Sequence, residues 1–199
     1  MAEKSYFFVI DGIDGCGSTT HSRLLAGYLE SKRYKVHLTQ EPSKSEIGKL
    51  LRRFLKDERI HPSTDALLFA ADRSLHYFNE IKKKLEEGYI VISDRYIESS
   101  IVYQSCQSEE ISVEWIKLIN KFVAKPDLTF ILDIDPQVSL ARKTNMELEK
   151  FENLDFLNKV RELYNKRAEQ EEYCVIDTDG VIEIVQEKIQ KYVIDYLTK

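Results

Sequence analysis

The chain of 199 residues is 43% hydrophobic and 32% charged, which suits one compact domain over residues 1–199 with a sizeable core. Its formal net charge of -5 argues against a general nucleic-acid binder, so we expect no nucleic-acid polymer among its partners. No apolar run approaches membrane-spanning length, and the 3 cysteines suggest neither a disulfide framework nor a zinc site. We therefore expect a cytoplasmic protein that has no membrane partner.

Short apolar runs alternate with longer amphipathic segments along the chain. The apolar runs predict strands over residues 6–10, 35–39, 89–93, 128–134 and 173–176. The amphipathic segments predict helices over 19–32, 45–56, 63–87, 97–106, 112–123, 136–144, 153–171 and 180–197. The first, third and fourth strands are apolar enough to be buried on both faces. This alternation predicts an α/β fold, in which helices cover both faces of a parallel sheet.

Residues 12–19, Gly-Ile-Asp-Gly-Cys-Gly-Ser-Thr, join the first predicted strand to the first predicted helix. The segment is typical of a phosphate-binding P-loop, except that Ser18 stands where the pattern has lysine. Its glycines allow successive backbone N–H groups and the positive end of the helix to point at one anion. Thr19 stands at the position of the hydroxyl that coordinates Mg²⁺. The alternative at this point is a tight glycine turn that binds nothing.

Polar residues follow each predicted strand, where ligands collect in a parallel α/β sheet. Asp94 and Arg95 come directly after the third strand, and further carboxylates follow the others. Carboxylates and an arginine beside a phosphate loop are the groups that Mg²⁺-assisted phosphoryl transfer needs. Polar residues also end strands simply because strands end at the surface, and we favour that explanation for Asp133 and Asp179.

Seven segments together resemble the thymidylate kinase family over nearly the whole chain. They lie at residues 11–19, 41–42, 68–73, 94–96, 99–104, 125–128, and 150–152 with 160–164. The resemblance implies a three-layer P-loop NTPase-type fold with a five-stranded parallel sheet. It also implies transfer of the ATP γ-phosphate to dTMP, giving dTDP and ADP, with Mg²⁺ as cofactor and a homodimer as the assembly.

The resemblance also implies a role for each matching position. The positions expected to bind ATP are Gly12, Ile13, Asp14, Gly15, Cys16, Gly17, Ser18, Thr19 and Thr20. The positions expected to bind dTMP are Asp14, Glu41, Pro42, Phe69, Arg73, Arg95, Ser100, Tyr103 and Gln104. Thr19 and Asp94 are expected at the metal, and the expected catalytic residues are Asp14, Arg95, Arg142 and Lys150.

The resemblance also implies a specific role for several of the residues that are expected to bind dTMP. Phe69 is expected to stack on thymine and Arg73 to donate to a thymine carbonyl. Tyr103 is expected to fill the space that a ribose 2′-hydroxyl would need. Arg95 is expected to hold the dTMP phosphate, and Asp14 to contact the sugar 3′-hydroxyl or the metal shell. For Arg52 and Arg53, contact with the monophosphate and simple solvent exposure remain equal alternatives.

A mobile lid is expected near residues 142–153. Some members of the family carry an arginine in the P-loop, but Gly15 occupies that position, so this chain resembles the group with its arginine in the lid. The lid cations are Arg142, Lys143 and Lys150, of which Lys150 stands where arginine is common. Lysine lacks the bidentate geometry of arginine, so this difference is not neutral. Exposed charges without a ligand are the alternative for these cations.

Three functions remain open from the sequence. The first is an active thymidylate kinase. The second is a related nucleoside or nucleotide kinase, against which the segment 69–73 and Tyr103 argue. The third is a nucleotide-binding protein with impaired catalysis, which Ser18 suggests.

Overall fold

The structure, a computed structural model that describes residues 4–57, 59–142 and 153–198, is built on five parallel strands. They are β1 (Tyr6–Gly12), β2 (Val36–Gln40), β3 (Ile90–Asp94), β4 (Leu128–Asp133) and β5 (Cys174–Asp177). They form one sheet in the order β2-β3-β1-β4-β5, and every pairing is parallel. The predicted five-stranded parallel sheet is therefore confirmed.

The helices of the described residues surround this sheet. They are α1 (Ser18–Ser31), α2 (Glu46–Phe54), α3 (Pro62–His76), α4 (Lys82–Glu86), α5 (Ile97–Gln107), α6 (Val113–Ile119), α7 (Pro136–Ala141), α8 (Leu154–Glu171) and α9 (Ile182–Leu197). Within the described ranges, no helix is both long and apolar enough to cross a membrane.

Alternate residues of β1 enter two different hydrophobic clusters, so both faces of the sheet are covered. Phe8 and Ile10 belong to the larger cluster, which includes Leu25 of α1 and Ile189 of α9. Phe7 belongs to a second cluster, with Val9, Val91, Ile81 and Tyr96. All of β1 and β3 and the middle of β4 are buried, as predicted, whereas β2 and β5 at the sheet edges are partly exposed.

The helical segment predicted over 63–87 differs from the structure. It consists of α3, a five-residue π-helical segment (Tyr77–Ile81) and α4. In the π-helical segment, Glu80 accepts hydrogen bonds from Thr39 and pairs with His37, both on β2. These contacts join a helical segment to a strand, so the periodicity of apolar residues in the helical sequence does not predict them. The helix predicted over 112–123 also ends earlier, at Ile119.

The register of the sheet brings the predicted polar residues together. Ile10 of β1 is paired with Asp94 of β3, and the backbone N–H of Arg95 donates to the carbonyl of Ile10. The loop that follows β1 therefore lies directly beside the Asp94-Arg95 pair.

Candidate active site

The glycine-rich loop between β1 and α1 follows a path that other residues would not tolerate. Gly15 has φ 81°, and a Cβ there would lie 2.9 Å from both the carbonyl oxygen and the Oγ of Ser139. Gly17, at φ 96°, is the N-cap of α1 and has no side chain to cap it. An arginine at position 15 would therefore clash with α7, and the first turn of α1 presents backbone N–H groups that can bind an anion.

A cavity of about 590 Å³ lies over this loop, and we refer to it as the donor cavity. Its walls include residues 14–21, Arg95 and Arg142, and, beyond β5, Thr178, Gly180, Ile182 and Val185. Of the residues predicted to bind ATP, those from Asp14 to Thr20 line the cavity, whereas Gly12 and Ile13 are buried outside its lining. Burial raises the pKa of the Cys16 thiol to about 12, so Cys16 is a neutral filler of the loop.

Thr19, which lines the donor cavity, contacts Asp94, which lies outside that lining. Thr19 Oγ1 lies 2.5 Å from Asp94 Oδ2, while Asp94 Oδ1 is buried and has no hydrogen-bond partner among the described residues. Mg²⁺ prefers oxygen ligands and usually takes only one or two from the protein, the rest coming from phosphates and water. Consistent with this, the described residues contain no cluster of three or more His, Cys, Asp or Glu that could form a metal site. The hydroxyl and the free carboxylate oxygen fit Mg²⁺.

A second cavity, of about 220 Å³, adjoins the first and is called here the acceptor cavity. All nine residues predicted to bind dTMP line it: Asp14, Glu41, Pro42, Phe69, Arg73, Arg95, Ser100, Tyr103 and Gln104. Gln104 is almost fully buried, and its Oε1 has no partner among the described residues. Arg52 also lines this cavity, whereas Arg53 is exposed and does not. The structure thus separates two arginines that the sequence left as alternatives.

Asp14 and Arg95 line both cavities and form the boundary between them. Arg95 Nη2 donates to Asp14 Oδ1 at 2.7 Å, and its Nη1 donates to the carbonyl of Gly12 at 2.8 Å and to Ser99 Oγ at 2.9 Å. The ring of Tyr103 lies 5.7 Å from the guanidinium carbon. A cation held in this way can face a ligand in each cavity.

Comparison with known proteins gives matches that cover most of this chain. The family model described as Thymidylate kinase matches residues 10–189. A "Probable thymidylate kinase" of Pyrobaculum aerophilum is 50% identical over 173 residues, 86% of this chain and 87% of the relative. Another relative of that name, from Staphylothermus marinus, is 38% identical over 200 residues, 99% of each chain.

The chain belongs to the thymidylate kinase family. Membership implies ATP-dependent phosphorylation of dTMP, so the chain is a nucleotide-binding transferase. The five-stranded sheet with order β2-β3-β1-β4-β5 agrees with the α/β P-loop fold of thymidylate kinases.

Arg142 lies over the glycine-rich loop of this thymidylate kinase family member. The sequence predicts it as a lid cation. Its Nη1 donates to the carbonyl of Gly15 at 3.3 Å, and its Nη2 donates to the carbonyl of Thr178 at 3.1 Å. Arg142 therefore spans the donor cavity from the loop to the end of β5. Lys143, Lys150 and Glu152 lie outside the described residues, as does the predicted lid from 143 to 152.

Arg73 is more constrained than the sequence suggests. Its side chain is 1% exposed and donates to Glu41 Oε2, Asn120 Oδ1, Ser100 Oγ and the carbonyl of Tyr96, at 2.8–3.0 Å. Four of its five N–H hydrogens are thereby used. One N–H on Nη1 has no partner among the described residues and remains for a ligand. Arg73 thus has a structural role that its motif alone does not reveal.

We expect Arg73→Ala to destabilise the folded chain as well as weaken the acceptor cavity. Glu41 is 3% exposed in this pair, so the substitution would leave a carboxylate buried without its main partner. Breaking such a pair costs about 3–5 kcal/mol. In a chain of this size, that corresponds to a fall in Tm of roughly 6–20 °C in thermal unfolding. Arg53→Ala, on the exposed face of α2, is the control, and equal Tm values for the two variants would contradict this account.

Asp11 is a positioning residue whose role sequence reasoning missed. Its buried carboxylate accepts from the N–H of Gly12 at 2.9 Å, from Ser99 Oγ at 2.6 Å and from Tyr164 Oη at 2.7 Å. It therefore holds the start of the loop, the first turn of α5 and helix α8 together. The sequence does contain a signal for this role of Asp11. A carboxylate at the end of a fully buried strand needs hydrogen-bond partners, because an unpaired buried charge is costly.

Arg161 and Tyr164 lie on α8, the helix that follows the predicted lid, and attach it to the sheet. Arg161 forms a two-point ion pair with Asp133, with N–O distances of 2.6 and 2.8 Å. Asp133 is therefore a structural partner of α8.

Proposed function

We propose that this chain transfers the γ-phosphate of ATP to dTMP with Ser18 in its P-loop, and that Asp14 and Arg95 act at the junction of the two substrates. The observation that supports this proposal most strongly is that both residues line the donor and acceptor cavities. Phosphoryl transfer requires two ligands to meet nearly in line, with positive charge where they meet. The Arg95 guanidinium supplies that charge.

In the donor cavity, the loop and the start of α1 bind the phosphates of ATP through backbone N–H groups. Thr19 and Asp94 would hold Mg²⁺, which when bound neutralises phosphate charge and orients the phosphate chain. Arg142 lies above the loop and faces the same phosphates. Ser18, almost fully buried as the first residue of α1, offers at most a neutral hydrogen bond in place of a charge.

In the acceptor cavity, Phe69 stacks on the thymine ring, while the remaining N–H of Arg73 donates to a thymine carbonyl. The free Oε1 of Gln104 accepts from the N3–H of thymine, and Ser100 lies beside it. Arg95 and Arg52 hold the monophosphate, and Asp14 contacts the 3′-hydroxyl of the sugar.

We expect Tyr103→Ala to weaken discrimination against ribonucleotides by about tenfold or more. Tyr103 would exclude the 2′-hydroxyl sterically, and losing about 1.4 kcal/mol of that penalty already lowers the discrimination tenfold. Tyr103 is buried, and its Oη accepts a hydrogen bond from the Asp14 backbone N–H at 3.0 Å, which fixes the ring. Tyr103→Phe keeps the bulk of the ring and should retain most of the discrimination. The measurement is the ratio of kcat/KM for dTMP to that for ribo-TMP. If this ratio is the same for parent and Tyr103→Ala, the steric role is wrong.

The proposal is tested by the choice of acceptor. A coupled assay of ADP release should show that dTMP is preferred over dCMP and dGMP. Thymidine should also be a poorer acceptor than dTMP, because it lacks the phosphate that Arg95 holds. Similar rates with dTMP, dCMP and dGMP would exclude the assignment of Phe69, Arg73 and Gln104 to thymine. Preference for thymidine would indicate a nucleoside kinase instead.

We further propose that the chain forms a single domain with a lid at 142–153 and acts as a homodimer in the cytoplasm. The dimer is supported by large apolar side chains exposed on α3 and the segment after it: Leu67 (52%), Leu75 (40%) and Phe78 (44%). Light scattering after size-exclusion chromatography tests it, with twice the mass of the chain as the expected result. Leu67→Asp together with Phe78→Asp should shift the mass to that of one chain.

A further inference from the structure

His21 is a buried polar residue of the donor cavity to which the sequence motifs assign no role. It lies on the first turn of α1, is 3% exposed, and forms part of the lining of the cavity. A Cβ on Gly17 would lie 3.3 Å from His21 Cδ2 and 3.7 Å from Nε2. The edge of the ring that carries Nε2 is therefore packed against the phosphate loop.

The other ring nitrogen is held by α9. His21 Nδ1 lies 2.9 Å from Oε1 of Gln186, which is itself 5% exposed. The amide nitrogen of Gln186 is buried and has no partner among the described residues, and neither does His21 Nε2. Both side chains thus have unused hydrogen-bonding capacity, which on His21 is at the ring edge beside the loop.

The tautomer of His21 depends on which way the Gln186 carboxamide is turned. Carboxamide oxygen and nitrogen are assigned from the surrounding hydrogen bonds, since their shapes are nearly identical. With the amide nitrogen donating to Nδ1, the neutral imidazole carries its proton on Nε2. That N–H then lies at the loop as a hydrogen-bond donor, without any charge on the ring. Burial lowers the pKa of His21, and the charge of Arg142 acts in the same direction.

The position of His21 along the sheet indicates which part of the nucleotide it contacts. In the order β2-β3-β1-β4-β5, Arg95 follows β3 on one side of the loop. Gln186 lies on α9, which follows β5 on the other side. If the terminal phosphate of a nucleotide faces Arg95, the phosphate next to its sugar would lie toward α9, on the side of His21.

We propose that His21, oriented by Gln186, donates a hydrogen bond from Nε2 to the α-phosphate of the donor nucleotide. The inference rests on the proposed use of the donor cavity for ATP. It makes His21 a binding residue that acts on nucleotide affinity, and Gln186 the residue that positions it. The transferred phosphate is at the other end of the chain of phosphates, so the chemical step does not depend on His21.

Calorimetric titration of the full chain with ADP and Mg²⁺ tests this role. His21→Leu should raise the Kd for ADP by about tenfold to 100-fold, because it removes a hydrogen bond to a charged group. His21→Gln keeps an N–H donor and should recover most of the affinity. Gln186→Leu should raise the Kd by about threefold to tenfold, since Nδ1 then loses its partner and the tautomer is no longer fixed. Gln190→Leu, one turn further along α9 and outside the cavity lining, is the matched control and should bind as the parent does.

Steady-state kinetics separate binding from packing. His21→Leu should raise the KM for ATP while leaving kcat and the KM for dTMP within about twofold of the parent. A variant with a lowered Tm but an unchanged Kd for ADP would overturn the proposal, since His21 would then only fill the core. If the parent itself fails to bind ADP, both this inference and the donor role of the cavity are wrong.

Discussion

Replacing Arg95 with alanine is expected to lower kcat/KM for dTMP by about 100-fold to 1000-fold, the loss typical when a group that stabilises transition-state charge is removed. Arg95 is the cation at the boundary of the two cavities, and three hydrogen bonds fix its guanidinium. It can therefore face the acceptor phosphate before transfer and the spreading negative charge during transfer. The measurement is steady-state formation of dTDP at varied dTMP.

The backbone of Arg95 requires a specific control. Arg95 has φ 70°, a left-handed conformation that favours glycine, so a substitution could act through the backbone. Arg33 has almost the same angle, φ 68°, but lies exposed after α1, outside both cavities. Arg33→Ala should therefore keep the parent activity. Arg95→Lys retains the charge without the two-point geometry and should recover only part of the activity. If Arg95→Ala retains parent kcat/KM, the junction role is wrong.

The second large effect is expected at Arg142, whose role depends on Ser18. A P-loop lysine would bring a full charge to the β- and γ-phosphates, and Ser18 does not. Arg142 reaches across the donor cavity to the carbonyls of Gly15 and Thr178 and can turn its guanidinium to two phosphate oxygens when ATP binds. We expect Arg142→Ala to lower kcat by about tenfold to 150-fold, the worth of a charge-assisted hydrogen bond.

A double-mutant cycle tests whether Arg142 compensates for the missing lysine. In the Ser18→Lys background, Arg142→Ala should lower kcat by no more than about threefold, because the new lysine supplies the charge. The two substitutions should therefore be coupled by more than about 0.5 kcal/mol, the usual limit for independent sites. Equal losses in both backgrounds would show that Arg142 and residue 18 act independently, and compensation by Arg142 would be excluded.

Much of this architecture follows from short-range patterns in the sequence. The apolar runs predict the strands because strands buried on both faces have to be apolar throughout. All nine residues expected to bind dTMP line one cavity, since the motif segments lie at the carboxyl ends of strands or on the helices beside them. These features depend on neighbouring residues or on the alternation of strands and helices.

The features that the sequence does not predict depend on contacts between distant segments. The π-helical segment places Glu80 against β2, and Asp11 joins β1 to α5 and α8. The difference between Arg52 and Arg53 depends on which face of α2 turns toward the loop after β2, where Arg52 donates to the carbonyls of Pro42 and Ser43. Arg73 uses nearly all of its hydrogen-bond donors, and one of them binds Asn120, which is 47 residues away in the chain. No local pattern specifies such pairings.

The most direct test of the central claim is whether the chain with Ser18 forms dTDP at all. Purified protein, ATP, Mg²⁺ and dTMP should yield dTDP and ADP in equal amounts, resolved by ion-exchange chromatography, and omission of dTMP should abolish ADP formation. Ser18→Lys, measured in parallel, should be faster by about tenfold or less if the lid cation replaces most of the missing charge. Formation of dTDP by the Ser18 chain is the result that we predict. Absence of dTDP from the Ser18 chain, together with its formation by Ser18→Lys, would contradict the claim and identify a nucleotide-binding protein with impaired catalysis.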